Sequence, residues 1–263
     1  MPKKKITPPV KPPPEKKLGK KAPLADPRNF LFSNYTVVTE PAPEPPAEAS
    51  WIMKVPPPWN VFLNDQLGCC VISAMGHMVQ QMTYFAGKPF IPSNADILAA
   101  YEHVGGYVPG DPATDNGCFM LDALKYWRHI GLAGHKILAF VQLDPLNSHE
   151  MRQAIQLFGG YFGGFALPIS VRNSDRWTVP DSGPYLSGSP GTWGGHAVSV
   201  LGSSPITDSC ITWGERLKMS HNFRKDYCDE AYAVVSTDFI DQNGLSPSGF
   251  NLKQLLSDLS KLT

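Results

Sequence analysis

The sequence carries no excess of charge: 23 lysines and arginines balance 23 aspartates and glutamates among 263 residues. A balanced chain has no general electrostatic drive toward nucleic acid or an anionic surface. No stretch approaches the roughly 18 consecutive apolar residues of a spanning helix, so no membrane insertion is expected. The opening Met1-Pro2-Lys3-Lys4-Lys5 has the charge of a secretory leader, but no apolar segment follows it. Cysteines are few and odd in number (Cys69, Cys70, Cys118, Cys210 and Cys228), and the adjacent pair is poorly placed to bond to itself. Reduced thiols and a cytoplasmic location are therefore expected, with a virion-associated or non-classically exported protein as the other setting. Two Cys-x-x-Cys pairs are missing, which argues against a structural zinc site.

What is present is unevenly spread. Residues 1–21 hold eight lysines against the single acid Glu15, so this stretch is +7 and the remainder −7. Fifteen of the 26 prolines fall within residues 1–58. Such a composition offers too little apolar surface to offset its ordering entropy, so residues 1–58 read as a disordered tail and linker. Leu31-Phe32 and Trp51-Ile52-Met53 are its anchor points. Lysine runs invite a nucleic-acid reading, but no aromatic residue interleaves them for base stacking, and a solubilising tether is the better reading.

Residues 59–263 alternate apolar and polar in regular ways and can bury a sizeable core. Val71, Ala74, Met75, Met78, Val79 and Met82 recur at helical spacing, predicting a helix from Cys70 to about Phe85 that Gly87-Lys88-Pro89 stops. A second helix is expected from a Ser93 cap to about Val104, a third from about Phe119 to Ile130, and a fourth from Ser148 to Leu157. Strands are expected near 161–168, 196–201, 209–213 and 231–236, with a long loop over 172–195 leading into the second of them. The fold class is α+β: a helical lobe over about 59–145, an antiparallel β lobe over about 146–240, and an amphipathic C-terminal helix at about 250–262.

Two short segments carry the chemistry. Asn64-Asp65-Gln66-Leu67-Gly68-Cys69-Cys70-Val71 places a thiol where a glycine turn becomes a helix, and Gly194-Gly195-His196-Ala197-Val198 places an imidazole at the head of a strand. A helix N-terminus and a nearby imidazolium both favour thiolate, the recipe for a nucleophilic Cys–His pair. Here the chain resembles the papain-like cysteine peptidases, including their calpain branch. Leu67-Gly68-Cys69-Cys70 is similar to the calpain Leu-Gly-Asp-Cys, and Gly195-His196-Ala197-Val198 to the Gly-His-Ala strand of the superfamily. Asp115-Asn116-Gly117 with Ala123-Leu124-Lys125-Tyr126 is similar to the second helical segment of the family's left-hand lobe. Trp213-Gly214 resembles the Trp-Gly that follows the family's catalytic Asn. The His lies 126 residues after Cys70, close to the roughly 130–150 of the papain pattern.

The resemblance implies a two-lobe fold with the cleft between lobes, and a peptide or protein substrate. It makes Cys70 the nucleophile and His196 the general base, with no metal or organic cofactor. The oxyanion donor falls on Gln66, by its reach, or on Asn64, by ungapped position. The family's Asn position is Ile211, which has no side-chain acceptor; Thr212 is the nearest polar replacement and Asp208 a weaker one. That departure leaves two functions open: thiol-dependent hydrolysis of peptide bonds by an enzyme of bacterial or phage type, or a papain-like fold kept as a binding or structural module. Residues 1–60 lack the long amphipathic helices of the family's inhibitory propeptides, so the sequence disfavours a segment that covers the cleft.

Overall fold

The computed structural model describes residues 15–27, 29, 31–35 and 44–239. A one-turn helix α1 (Phe32–Tyr35) and a two-residue strand β1 (Ala49–Ser50) tack the N-terminal portion to the body. Phe32 packs edge-on against Phe158, and Trp51 donates its indole N–H to the Ile155 carbonyl at 2.7 Å. Of the anchor points expected from sequence, Phe32 and Ile52 are buried and Trp51 half-buried, while Leu31 and Met53 are exposed.

Helix α2 (Cys70–Phe85) is buried on nearly every side through Thr83, the pattern of a helix central to a core rather than one lying on it. α3 (Asn94–Gly105) starts with a capping box, Ser93 accepting from the Asp96 N–H while the Asp96 carboxylate accepts from Ser93. Gly106 closes it in the left-handed conformation, where glycine carries no Cβ penalty. α4 (Met120–His129) completes the helical lobe, and its Ala123, Leu124 and Trp127 face the α2 core.

The remaining elements are β2 (Ile137–Leu143), α5 (Ser148–Phe158), β3 (Tyr161–Leu167), β4 (Arg176–Trp177), β5 (Gly194–Ser203), β6 (Thr207–Thr212), β7 (Glu215–Ser220), α6 (His221–Tyr227) and β8 (Cys228–Ser236). They build an eight-stranded sheet ordered β2-β8-β3-β5-β6-β7-β4, with β1 added on β5. All pairings are antiparallel except β4 on β7. β5 lies in the interior of this sheet and packs directly on α2, so the two motifs of the sequence meet at the junction of the lobes.

Three elements depart from the sequence expectation. Ile137–Leu143, placed in the helical lobe by sequence, is an edge strand of the sheet; its half-exposed middle lacks strand alternation. β7 follows β6 through a two-residue turn in which Trp213 and Gly214 both have positive φ (48° and 76°), the geometry of a tight hairpin. α6 is a short helix begun by a Ser220 cap. The expected C-terminal helix at 250–262 lies outside the described residues.

Candidate active site

Cys70 is the first residue of α2, and the adjacent thiols part company there. The Cys69 sulfur turns into the helical lobe, 3.4 Å from the Phe62 carbonyl and 3.5 Å from the Ser73 hydroxyl. Cys70 instead meets backbone of Ala197, Gly19 and Lys20. The turn ahead of it is held from the helical lobe: the Gly68 N–H donates to both Asp115 carboxylate oxygens (2.9 and 3.2 Å), and the Tyr101 hydroxyl donates to the same group at 2.6 Å. Burial pushes the Cys70 thiol up to about 11, against the pull of backbone hydrogen bonds and the Lys20 charge. Burial likewise pushes Cys69 up to about 12.

His196 sits on β5 opposite Phe165 and is fully buried. Its Nε2 lies 2.7 Å from the Thr212 hydroxyl. Side chains alternate along a strand, so Thr212 and not Ile211 shares the His196 face; Ile211 points into the α2 core. The Trp213 ring stacks flat on the imidazole, 4.2 Å between centroids at 11°, and shields its contact with Thr212. Among the described residues the buried Nδ1 has no hydrogen-bond partner. Burial, then the positive Lys16, push the imidazole down to about 3. His77, further along α2, is engaged elsewhere, with Nε2 2.7 Å from the Asn60 carbonyl.

The two amides read as oxyanion donors differ. Asn64 is buried, donates its side-chain N–H to the Leu67 carbonyl at 3.1 Å, and receives the Lys17 N–H on its own carbonyl. Gln66, the slightly preferred residue by reach, is exposed. Asp208 is remote in function from His196: its carboxylate is taken by Arg224, His221, Ser203 and Tyr161.

Sequence reasoning missed what fills the space between the lobes. Residues 15–21 fall in the expected tail, yet they run between the helical wall and the β wall as an irregular segment with a single bridge at Lys20. Gly19 and Lys20 both donate N–H to the Gly195 carbonyl (3.2 and 3.1 Å). On the opposite wall the Cys118 N–H donates to the Gly19 carbonyl and the Lys21 N–H to the Cys118 carbonyl, a parallel bridge. Lys17 presents its carbonyl to the Trp213 indole N–H at 3.0 Å. The glycines of the motifs make this fit possible. A Cβ on Gly19 would lie 1.7 Å from the Gly68 carbonyl oxygen, one on Gly195 2.1 Å from the Lys20 oxygen, and one on Gly117 1.9 Å from the Gly19 oxygen. No helix is needed: backbone pairing in a glycine-lined slot holds the segment, which is why the search for amphipathic propeptide helices missed it.

The Lys20 side chain enters a pocket and is 1% exposed. Its ammonium lies 2.9 Å from Asp229, 3.1 Å from Glu230 and 3.1 Å from the Lys21 carbonyl.

Against known structures, this arrangement is similar to xylellain, a cysteine protease from Xylella fastidiosa, with TM-score 0.64 at 14% identity over 87% of this chain and 99% of that one. It is similar also to procathepsin B from Trypanosoma congolense (TM-score 0.55, 13% identity, 83% and 86% covered). The cysteine protease and lectin-like domains of Cwp84 from Clostridium difficile match with TM-score 0.56 at 12% identity, covering 84% of this chain and 56% of that one. The fold is the papain-like one. No family model matches the sequence, and no curated protein does. The resemblance first seen in the Gly68–Cys70 and Gly195–Val198 motifs therefore extends to the papain-like fold as a whole. Among the described residues no helix is long and apolar enough to cross a membrane.

Proposed function

We propose that the chain is a papain-like thiol peptidase whose cleft is closed by its own residues 15–21. The observation that carries this reading is the His196 ring. Thr212 engages one nitrogen under a Trp213 lid, while the other is buried without a partner on the strand that touches Cys70. With Thr212 accepting from Nε2–H, the Nδ1 lone pair is left to take the Cys70 proton once the two side chains, which share no hydrogen bond in the closed state, come together. The thiolate then attacks a peptide carbonyl, with the Cys70 N–H and Asn64 as the oxyanion donors. The imidazolium returns its proton to the leaving amine, and water resolves the acyl-enzyme. Thr212 orients the ring but stabilises the imidazolium less than a charged partner would.

In the closed state both groups are neutral, because the segment that covers them also removes water. Burial is the leading cause of the raised thiol and of the lowered imidazole, so departure of residues 15–21 moves the two values toward each other. The segment escapes attack because it offers the sulfur backbone N–H groups; the Gly19 carbonyl is turned away to the Cys118 N–H.

The second reading, a papain-like fold that binds without cutting, is favoured by Thr212, whose hydroxyl stands where the family uses an amide. Trapping separates the two. Iodoacetamide and an epoxysuccinyl inhibitor applied to protein with the segment displaced form a Cys70 adduct on the first reading, at a rate that persists well below pH ~8.5. A folded, segment-free protein whose Cys70 takes no epoxysuccinyl adduct is a binding module.

A further inference from the structure

We propose that Cys118 is a resolving thiol for Cys70: with residues 15–21 out of the cleft, peroxide oxidation of Cys70 ends in a reversible Cys70–Cys118 disulfide. The pairing deepens the peptidase reading and rests on it for a reactive Cys70.

Of the five free thiols, Cys210 and Cys228 belong to the core of the β lobe, and Cys69 is turned to the Phe62 carbonyl and the Ser73 hydroxyl. Cys118 differs from all three. It stands just ahead of α4, packs in the same core as Cys70, and pairs through both its N–H and its carbonyl with the segment that covers Cys70. One residue, Gly19, touches both: its carbonyl takes the Cys118 N–H at 2.9 Å, and its backbone also meets the Cys70 sulfur. The turns that carry the two thiols are fastened to each other without the segment. The Gly68 N–H donates to the Asp115 carboxylate, and the Tyr101 hydroxyl ties that carboxylate to the Gly117 N–H. A Cβ on Gly68 and one on Gly117 would lie 3.5 and 2.8 Å from the same Gly19 Cα, so the gap between the turns is one glycine wide. A disulfide spans Cα atoms up to about 7 Å apart, a span that so narrow a slot brings within reach. Burial, then the charge of Cys70 and after it that of Cys69, push the Cys118 thiol well above its usual value, so Cys70 is the thiol it feels more strongly.

A buried cysteine is ordinarily a small apolar filler. Cys118 is held under the same segment as Cys70, so one departure admits water and oxidant to both. The Cys70 thiolate attacks one oxygen of hydrogen peroxide; the O–O bond breaks, hydroxide leaves and Cys70 becomes a sulfenic acid. The Cys118 sulfur then attacks the Cys70 sulfur, the S–O bond breaks, and the Cys118 proton leaves with the oxygen as water. Peroxide takes up the two electrons, and a dithiol reductant returns them. Without a resolving thiol, more peroxide carries the sulfenic acid on to sulfinic acid, which thiols do not reverse.

The test uses the full chain carrying Gly19→Ala, whose methyl group the Gly68 carbonyl excludes from the closed state. The protein is treated with hydrogen peroxide and half of it is then reduced with dithiothreitol. Both halves are labelled with iodoacetamide and read by mass after cleavage at Glu102, which separates the Cys69–Cys70 peptide from the Cys118 peptide. The expected result is a disulfide-linked pair of peptides before reduction, and Cys70 labelling that reduction returns to within about twofold of untreated protein. With Cys118→Ser added, no linked pair forms and reduction should recover about tenfold less labelled Cys70, the rest being sulfinic acid. A linked pair that persists in Cys70→Ser, or a recovery that Cys118→Ser leaves unchanged, overturns the pairing. A link in protein whose Cys70 takes no epoxysuccinyl adduct keeps the thiol pair and overturns the peptidase; an adduct without a link does the reverse. Should Gly19→Ala not fold, the parent chain is held in excess peroxide and the same linked pair must appear. Cys70 lost as sulfinic acid without a link, or not lost at all, overturns the proposal.

Discussion

Two buried ion clusters stand on the same sheet and differ in what completes them. At one end, Asp208 accepts from Arg224 Nε at 2.8 Å, from the Ser203 hydroxyl at 2.7 Å and from the Tyr161 hydroxyl at 3.3 Å, with His221 Nε2 at 3.2 Å. Arg224 itself reaches the Pro145 carbonyl and the Ser148 hydroxyl. Every member belongs to the β lobe. At the other end, Asp229 and Glu230 are answered by Lys20, more than 200 residues away in sequence and carried on a segment held by backbone hydrogen bonds. The titration of the two follows. Burial would raise Asp208, but hydrogen bonds and the charges of His221 and Arg224 hold it below the usual carboxylate range. Burial raises Glu230 and Lys20 only partly answers it. The first cluster is internal scaffold; the second ties residues 15–21 to the domain.

Breaking the scaffold should have the largest effect. Arg224→Met strands the Asp208 carboxylate and should cost about 3–5 kcal/mol of stability, measured by denaturant unfolding. Lys20→Met should cost the fold much less, because Asp229 is 29% exposed and water re-enters when the segment leaves. Equal losses would erase the distinction.

The two carboxylates should also part in sign. Asp208 is held low, so its contribution is complete above its unfolded value and lost as pH falls through its folded value. Asp208→Asn should therefore be less stable than the parent at neutral pH and converge with it in acid. Glu230 is raised, so its folded state prefers the proton: its contribution is complete below the unfolded value and lost as pH rises through the folded one. Glu230→Gln should lose little at neutral pH and gain on the parent as pH rises. Thermal unfolding across pH reads both curves.

Thr212→Val removes a hydroxyl with little change of shape. It leaves His196 Nε2 buried without a partner, costing about 1–3 kcal/mol, and should slow Cys70 trapping in segment-displaced protein. Thr212→Ser should restore both; trapping unchanged by valine would mean the ring needs no orientation by this residue. The smallest effect belongs to Lys16, whose ammonium lies 5.0 Å over the Trp213 ring. Its cation–π contact is worth about 0.5–1 kcal/mol, so Lys16→Ala should expose Cys70 only a few-fold faster.

The sequence exposed the local signals and hid the non-local ones. The α2 start at Cys70, the Ser93 cap and the glycines before His196 follow rules that act within a few residues, and the fold places them as expected. Thr212 was read only as the nearest polar residue to Ile211; strand alternation, which turns Ile211 into the α2 core, is what brings its hydroxyl to the ring. Lys20 was not, because its partners Asp229 and Glu230 lie at the far end of the chain and its neighbourhood has the composition of a tail. The preference for Gln66 over Asn64 rested on side-chain reach alone. In the fold Asn64 is buried against Lys17 while Gln66 faces outward. β2 escaped notice because an edge strand with a half-exposed middle shows no period.

The central claim is that a reactive thiol is shut by the chain's own residues 15–21, and Gly19→Ala tests it with one methyl group. The measurement is the iodoacetamide labelling rate of Cys70 across pH, read by mass in the parent and in the full-length Gly19→Ala variant. The account predicts a parent that labels slowly at every pH and a variant that labels faster by about tenfold or more, with a rate persisting well below the pH ~8.5 of an ordinary thiol. A parent that labels as fast as the variant, or a variant that follows the ordinary thiol profile, would contradict it.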